Sequence, residues 1–275
     1  MVWQANKSSI QVMGILNITP DSFSDGGRFQ GSEAALRHVE QMLAEGADIV
    51  DVGGESTRPG SEQVPVQAEL ERVVPIIAAI RERFDTVVSV DTSKPEVMLA
   101  AVEAGAGLVN DVCALREPGA LEICARMSVP ICLMHMQGQP RTMQRAPHYE
   151  DIVGDISCFF SERIVACEQA GIARDRLILD PGFGFGKTLQ HNVNLLSRLD
   201  EFSVFGLPIL VGVSRKSMIG ALLGGRPVDG RLHGSVAAGV IAAMKGANIL
   251  RVHDVGATVD AVKLMNAVMN EEQRG

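Results

Sequence analysis

The feature that most constrains this chain is a short apolar segment that ends at a polar residue or glycine. It recurs eight times, each time before a segment of helical character. The first runs from Val12 to Leu16 and ends at Asn17. Such segments are too short for a helix and long enough for one buried strand. The others end, in chain order, at Gly53, Asp91, Asn110, His135, Asp180, Ser214 and Arg251 with His253.

The connections between helices and strands favour a parallel arrangement. Nearly the same residues recur at 46–50, 105–109 and 246–250: a glycine that stops a helix, a tight connection and a buried strand. Apolar strands that alternate with amphipathic helices are typical of a parallel sheet with a covered outer face. Eight such units in about 250 residues predict an α/β fold, the closed (β/α)8 or TIM barrel. An open doubly wound sheet is the less favoured alternative. Ser32 is predicted to be the N-cap of the first helix.

Composition narrows the class of protein. No internal boundary is visible, so we predict a single domain over residues 1–275, with residues 1–11 as an N-terminal extension. The formal net charge of −8 argues against nucleic acid or an anionic membrane as a partner. No apolar run approaches the ~18 residues of a membrane span, and the first residues lack the apolar centre of a signal peptide. The five cysteines include no C-x-x-C pair, which predicts reduced thiols in a cytoplasmic protein.

The polar residues at the strand ends predict a binding site. In such barrels the active site lies at the carboxyl ends of the strands. Asp91, Asn110 and Asp180 offer acceptors, which suit a planar heterocycle rich in N–H groups. The other group, Lys216, Arg251 and His253, is cationic or can become so, and suits a phosphate. A single polar residue at a strand end is usually a turn former, but so many at one rim indicate a function.

The segment 177–188 looks like a nucleotide-binding P-loop, because a strand is followed by glycines, Gly-Lys-Thr and a helix. That motif requires a glycine where Pro181 stands, and proline has no N–H for a phosphate. The glycines are instead predicted to let a loop lie close to a substrate. Phe183 and Phe185 either fill the core or flank an aromatic ligand. No catalytic triad order and no metal-ligand spacing stands out.

Five motifs in order, at 13–27, 51–60, 180–187, 214–217 and 251–254, give the chain a specific resemblance. It resembles the dihydropteroate synthase family of the folate pathway, the target of sulfonamides. The resemblance covers essentially the whole chain. It implies a transferase that joins 4-aminobenzoate to 6-hydroxymethyl-7,8-dihydropterin diphosphate, giving 7,8-dihydropteroate and diphosphate by a dissociative mechanism. It also implies a homodimer.

The resemblance assigns roles to individual residues. It implies that Arg251 stacks on the pterin and, with Asn17 and His253, holds the diphosphate, while Mg2+ bridges Asn17 and the diphosphate. The implied catalytic residues are Asp91, Lys216, Arg251 and His253. The implied substrate-binding residues are Asn17, Phe23, Thr57, Arg58, Pro59, Asp91, Asn110, Asp180, Phe185, Gly212, Ser214, Lys216, Arg251 and His253.

Two other functions compete with this one. A pterin-binding methyltransferase barrel shares the carboxylates that hold the pterin, but it passes a methyl group to a corrinoid and has no use for a diphosphate site. A non-catalytic paralogue would bind pterin without turning it over. Binding of diphosphate with Mg2+ separates the first from a synthase, and an assay for released diphosphate separates the second.

Overall fold

The computed structural model describes residues 1–3, 9–18, 27–56, 63–138, 142–144 and 146–272. Four residues that the resemblance assigns to substrate binding, Phe23, Thr57, Arg58 and Pro59, lie outside the described residues.

Parallel strands form a closed barrel. Their hydrogen-bonded order is β6-β5-β4-β3-β2-β1-β8-β7, and a parallel bridge between Leu179 and Ile209 joins β6 to β7. The Leu179 N–H also donates to the Pro208 carbonyl at 2.9 Å. The strands are β1 (Gln11–Asn17), β2 (Ile49–Gly53), β3 (Val87–Asp91), β4 (Leu108–Asp111), β5 (Ile131–Met134), β6 (Leu177–Asp180), β7 (Leu210–Val211) and β8 (Ile249–Val252).

Helices alternate with the strands and cover the barrel. They are α1 (Gly27–Ala44), α2 (Val66–Arg83), α3 (Pro95–Glu103), α4 (Ala120–Ala125), α5 (Ile152–Gln169), α6 (Leu189–Ser197), α7 (Ser217–Leu222), α8 (Leu232–Met244) and α9 (Val255–Glu272). One helix follows each strand, except that both α7 and α8 follow β7. The predicted (β/α)8 barrel is confirmed, and the open sheet is excluded.

The glycine stops are confirmed and the predicted first helix start is wrong. Gly46, Gly105 and Gly246 have φ angles of 99°, 109° and 95°, which L side chains rarely adopt. Helix α1 begins at Gly27, so Ser32 lies inside the helix and is not its N-cap. A glycine inside a helix costs only about 1 kcal/mol, so the glycine at position 31 does not stop the chain from becoming helical before Ser32.

The two faces of the strands have different surroundings. The outward side chains pack against the helices in one large core. The inward side chains near the amino ends form a separate apolar cluster that closes the bottom of the barrel together with Trp3. We call its strand residues the lower set; each strand contributes one member: Met13, Ile49, Val87, Leu108, Cys132, Ile178, Leu210 and Ile249.

Trp3 ties the start of the chain to the barrel. Its indole N–H donates to Gln11 Oε1 at 2.9 Å, and its backbone N–H donates to the Gly107 carbonyl at 3.1 Å. The indole is buried. The predicted N-terminal extension therefore contributes to the core through Trp3, and Gln11 already belongs to β1.

Candidate active site

The interior of the barrel becomes polar two residues above the lower set. Because side chains alternate along a strand, the residue two positions further points to the same interior. We call these residues the upper set: Ile15, Asp51, Ser89, Asn110, Met134, Asp180, Gly212 and Arg251. Four of them, Asn110, Asp180, Gly212 and Arg251, are predicted site residues that the strands bring to one end of the barrel.

Arg251 is the centre of a buried ion cluster. Its Nε donates to Asp51 Oδ2 and its Nη2 donates to Asp91 Oδ2, both at 2.6 Å. The Asn110 amide donates to the same Asp51 oxygen at 3.2 Å. The second oxygens of both carboxylates are buried and have no hydrogen-bond partner among the described residues. Buried acceptors are normally paired, so these two oxygens are available to a ligand that brings donors.

The charge of this cluster does not balance. Two carboxylates share one guanidinium, and burial makes a second negative charge unfavourable. Burial therefore raises the pKa of Asp91 to about 7, although Arg251 lowers it, and Asp51 raises it further. Near neutral pH the site thus holds a carboxyl group that exchanges its proton readily.

The loop after β6 connects Asp180 with Lys216. The Gly182 N–H donates to Asp180 Oδ1 at 2.7 Å. Lys216 Nζ donates to the Phe183 carbonyl and lies 4.5 Å from the centre of the Phe185 ring. Burial raises the pKa of Asp180 and lowers the pKa of Lys216 to about 8. Lys216 is therefore a cation held over an aromatic ring, and its proton is less firmly bound than that of an exposed lysine.

The ends of β7 and β8 are cross-linked by side chains. Ser214 Oγ lies 3.1 Å from His253 Nδ1 and accepts the His253 backbone N–H at 3.2 Å. Arg215 Nε donates to Asp254 Oδ2 at 2.9 Å, and its guanidinium contacts both carboxylate oxygens. Strand β8 ends at Val252, so His253 belongs to the turn that follows Arg251. The structure thus brings Ser214 and His253 into direct contact.

An apolar wall stands beside these charges. Val112, Met134, Met136 and Met143 form a small buried cluster, against which Phe185 packs. An aromatic ligand between this wall and Arg251 would meet carbon on one face and a guanidinium plane on the other.

The metal that the resemblance implies has few protein ligands here. Asn17 is the last residue of β1 and its side chain is exposed. The described residues contain no group of three His, Cys, Asp or Glu that could hold a metal ion. Mg2+ commonly takes only one or two protein ligands and completes its shell with phosphate oxygens and water. An exposed amide oxygen fits that mode of binding and does not fit a closed protein cage.

Sequence reasoning missed Asp51, which is fully buried in the middle of β2. The only signal was one charged residue between Val50 and Val52, since a charge in an apolar strand requires a partner.

Sequence reasoning also missed a second ion cluster, which forms around Lys94. Lys94 Nζ contacts the carboxylates of Glu55 and Glu69, and Glu55 also accepts the Val64 N–H at 3.3 Å. These contacts link the described residues on either side of segment 57–62.

Comparison with known protein families agrees with this geometry. The family described as pterin binding enzyme matches residues 13–253, and the fold with its acidic rim defines an enzyme of that class. Dihydropteroate synthase of Escherichia coli K12 is 56% identical over 262 residues, which cover 95% of this chain and 93% of that protein. The chain therefore belongs to the dihydropteroate synthase family, and the predicted resemblance is confirmed.

Solved structures give the same result. The Yersinia pestis dihydropteroate synthase with a sulfonamide drug complex has a TM-score of 0.93 and 53% identity, covering 98% of this chain and all of that one. The Xanthomonas albilineans enzyme in complex with 7,8-dihydropteroate has a TM-score of 0.87 and 50% identity, covering 96% of this chain and 95% of that one.

Proposed function

We propose that this chain, a transferase, joins 6-hydroxymethyl-7,8-dihydropterin diphosphate to 4-aminobenzoate, giving 7,8-dihydropteroate and diphosphate at the carboxyl rim of the barrel. One observation carries the proposal. The upper set, together with Asp91, places buried carboxylates and an amide beside the guanidinium of Arg251 in a single mouth. Acceptors for a ring rich in N–H groups and a cation for a phosphate are thus within reach of one ligand.

The pterin is assigned to Asp91, Asn110, Asp180 and Lys216. The unpaired oxygen of Asp91 can accept a hydrogen bond from an N–H group of the pterin. Asp180 is held in place by the Gly182 N–H, so its carboxylate is oriented before the ligand arrives. Lys216 can donate to the ring carbonyl or a ring nitrogen, because its ammonium already lies at the mouth.

The diphosphate is assigned to Asn17, Arg251 and His253. Arg251 is engaged by Asp51 and Asp91 in this structure, so an arriving diphosphate competes with two carboxylates for the guanidinium. Pterin N–H groups that take over those carboxylates would free Arg251 for the anion. Asn17 would hold Mg2+, which when bound neutralises part of the diphosphate charge.

The reaction then follows from charge. The bond between the pterin methylene and the diphosphate oxygen breaks first, and negative charge grows on the leaving group. Arg251 and His253 stabilise that charge more in the transition state than in the ground state. Asp91 lies near the cation left on the methylene and supplies electron density to it. The neutral aniline nitrogen attacks the methylene with its lone pair, without a strong general base, and the proton it then loses passes to water or to the released diphosphate.

The aminobenzoate is assigned to the side of the mouth formed by Phe185, Ser214 and Lys216. The further residues assigned to it, Phe23, Thr57, Arg58 and Pro59, lie outside the described residues. We propose that 4-aminobenzoate binds last, once pterin diphosphate and Mg2+ are in place. Calorimetry should detect little binding of 4-aminobenzoate to the free enzyme and clear binding to the loaded one. Equal binding in both states would show that its pocket is preformed.

We also propose a homodimer. Helices α7, α8 and α9 expose large apolar side chains, among them Leu222, Met244 and Leu264, which are 57%, 60% and 69% exposed. Such a concentration of apolar surface on neighbouring helices is typical of a protein interface. Light scattering of the purified protein should give twice the chain mass of 29.4 kDa, and a mass of one chain would refute the dimer.

The cytoplasmic location stays a prediction. Among the helices in the described part of the chain, none is long and apolar enough to cross a membrane.

The deciding experiment is an assay of the purified enzyme with pterin diphosphate, 4-aminobenzoate and Mg2+. We expect stoichiometric release of diphosphate and formation of 7,8-dihydropteroate, each dependent on both substrates. Pterin binding without turnover would favour the non-catalytic paralogue. Methyl transfer from a methylated pterin to a corrinoid would favour the methyltransferase.

A further inference from the structure

The segment that looks like a P-loop is wrapped around its own lysine. Lys187 Nζ donates to the carbonyls of Gly182 at 2.9 Å and Phe185 at 3.1 Å, and it lies 3.0 Å from His135 Nδ1. Burial lowers the pKa of Lys187 well below its ordinary value. In its protonated form the amine has three N–H donors, and these three contacts use all of them. Lys187 is only 3% exposed and His135 only 6%. The lysine of this motif thus serves the loop itself and does not reach the mouth of the barrel.

His135 is suited to accept from the lysine. Burial and the nearby charge of Lys187 lower the pKa of His135 to about 2, so its imidazole is neutral. A neutral imidazole has one nitrogen that accepts. Protonated Lys187 has only donors, so Nδ1, which lies 3.0 Å from its Nζ, is the accepting nitrogen. His135 follows β5 directly, so this contact connects the ends of neighbouring strands.

The glycines of the loop allow its backbone to lie against the segment after β5. Gly182, Gly184 and Gly186 have φ angles of 70°, 80° and 60°, a region that favours glycine. A Cβ atom at Gly182 would lie 1.9 Å from the His135 carbonyl oxygen, and one at Gly186 would lie 2.5 Å from the Gln137 carbonyl oxygen. The loop therefore lies directly on the segment after β5, and Lys187 fills its centre.

This loop also orients two residues of the proposed pterin site. Its Gly182 N–H donates to Asp180, and its Phe183 carbonyl accepts from Lys216. The Phe185 ring lies under the Lys216 ammonium. Lys187 binds the carbonyls of Gly182 and Phe185, which flank Phe183 in the chain. A change in the loop would therefore move the acceptor of Lys216 and the donor to Asp180 together.

We propose that Lys187 is a positioning residue, which with His135 as its acceptor fixes the 181–187 loop and through it the orientation of Asp180 and Lys216. This inference rests on the proposed function, because the effect it predicts is measured as pterin affinity. Lys187 touches neither substrate; it acts through the backbone of the loop.

The test compares two variants, each of which removes a different side-chain contact with the same loop. Lys187→Met removes the ammonium and keeps the apolar length of the side chain. Tyr149→Phe removes the hydroxyl that donates to the Gly186 carbonyl at 2.8 Å, and it leaves the lysine contacts in place. We expect Lys187→Met to weaken 6-hydroxymethylpterin binding at least tenfold by calorimetry, and Tyr149→Phe to keep the Kd within about twofold. The melting temperature is recorded for both.

A second pair of variants keeps the inference falsifiable if Lys187→Met does not fold. His135→Asn retains an acceptor near the Nδ1 position, and His135→Leu removes it. We expect His135→Asn to keep pterin affinity within about threefold and His135→Leu to lose at least fivefold. Losses that follow only the melting temperature, in either pair, would mean that Lys187 is merely structural. Unchanged affinity in both Lys187→Met and His135→Leu would also overturn the inference, whereas an unmodified enzyme that binds no pterin would instead refute the proposed function.

Discussion

The lower and upper sets of inward residues come from the same eight strands, yet they differ sharply in polarity and charge. The lower set is entirely apolar and buried, with Trp3 closing it from below. The upper set, only two residues further along each strand, carries Asp51, Ser89, Asn110, Asp180 and Arg251. A strand in this barrel is therefore divided along its length, and the part nearer its amino end contributes stability while the other end contributes chemistry.

The difference shows in the hydrogen bonds that are left unmade. Among the described residues, Asp51, Ser89 and Asp91 each have a buried oxygen without a partner. An unsatisfied buried polar group costs about 1–3 kcal/mol. Asp51 and Ser89 of the upper set, with Asp91 at the end of β3, therefore lower the stability of the ligand-free barrel. The apolar lower set offsets this cost, which allows the upper set to be organised for a ligand before the ligand arrives.

The largest effect is expected in the lower set. Ile178→Ala on β6 should reduce the free energy of unfolding by about 2–5 kcal/mol, because it removes buried methyl groups and leaves a cavity. Pterin affinity should stay within about twofold, although Asp180 is only two residues away. Denaturant unfolding and calorimetry of the same preparation measure both. A variant with normal stability and poor pterin binding would break the division between the two sets.

A loss of binding follows for Arg251→Ala in the upper set. The affinity for pterin diphosphate should fall by roughly 2–4 kcal/mol, from lost phosphate hydrogen bonds and lost stacking. The loss should be smaller for hydroxymethylpterin, which has no phosphate. Calorimetry with both ligands gives the difference, and Arg83→Ala on the exposed end of α2 is the control. Equal losses for the two ligands would reduce Arg251 to a stacking residue.

The Asp180→Asn substitution should be milder. The amide oxygen can still accept the Gly182 N–H, so the fold should remain, but an amide N–H would now face a pterin donor. The affinity for hydroxymethylpterin should drop about tenfold, or about 1.4 kcal/mol. Asp175→Asn, in the turn before the amino end of β6, is the matched control. Unchanged pterin binding by Asp180→Asn would remove Asp180 from the site.

Per pH unit, the smallest effect concerns the proton of Asp91. The pKa of Asp91 is about 7 in the folded chain against an ordinary value of 3.8, so between these values the folded state holds more protons than the unfolded state. Stability should therefore fall as pH rises through this window, by at most about 1.4 kcal/mol per pH unit. Asp91→Asn should flatten the slope, as measured by denaturant unfolding at several pH values. A variant with the slope of the unmodified chain would show that Asp91 does not carry this proton.

The sequence predicts the barrel well because the signals for it are local. An apolar segment, a polar end and a glycine stop lie within a few residues of one another, and each repeats. The position of the site follows from the same signals, since every parallel strand ends at the same rim. Asn110, Asp180 and Arg251 were predictable for that reason.

The pairings across the barrel were not predictable, because they depend on closure. Arg251 and Asp51 are 200 residues apart in the chain, and only the barrel brings them together. The contact of Lys187 with His135 spans 52 residues and requires that β5 and β6 be neighbours. The predicted start of α1 was wrong for a different reason. The capping preference of Ser32 is a weak signal, and the residues before it are helical in spite of that preference.

The seam between β6 and β7 gives the barrel a particular mechanical character. Four residue pairs join β5 to β6, whereas the join of β6 to β7 has the single bridge from Leu179 to Ile209. Backbone pairing is therefore sparsest between β6 and β7, and local opening of the barrel should begin between these two strands. The pterin assigned to Asp180 and Lys216 would span this line from one side to the other. Bound substrate would then connect β6 and β7 where their backbone pairing is weakest, so that the barrel is most stable while the substrate is bound.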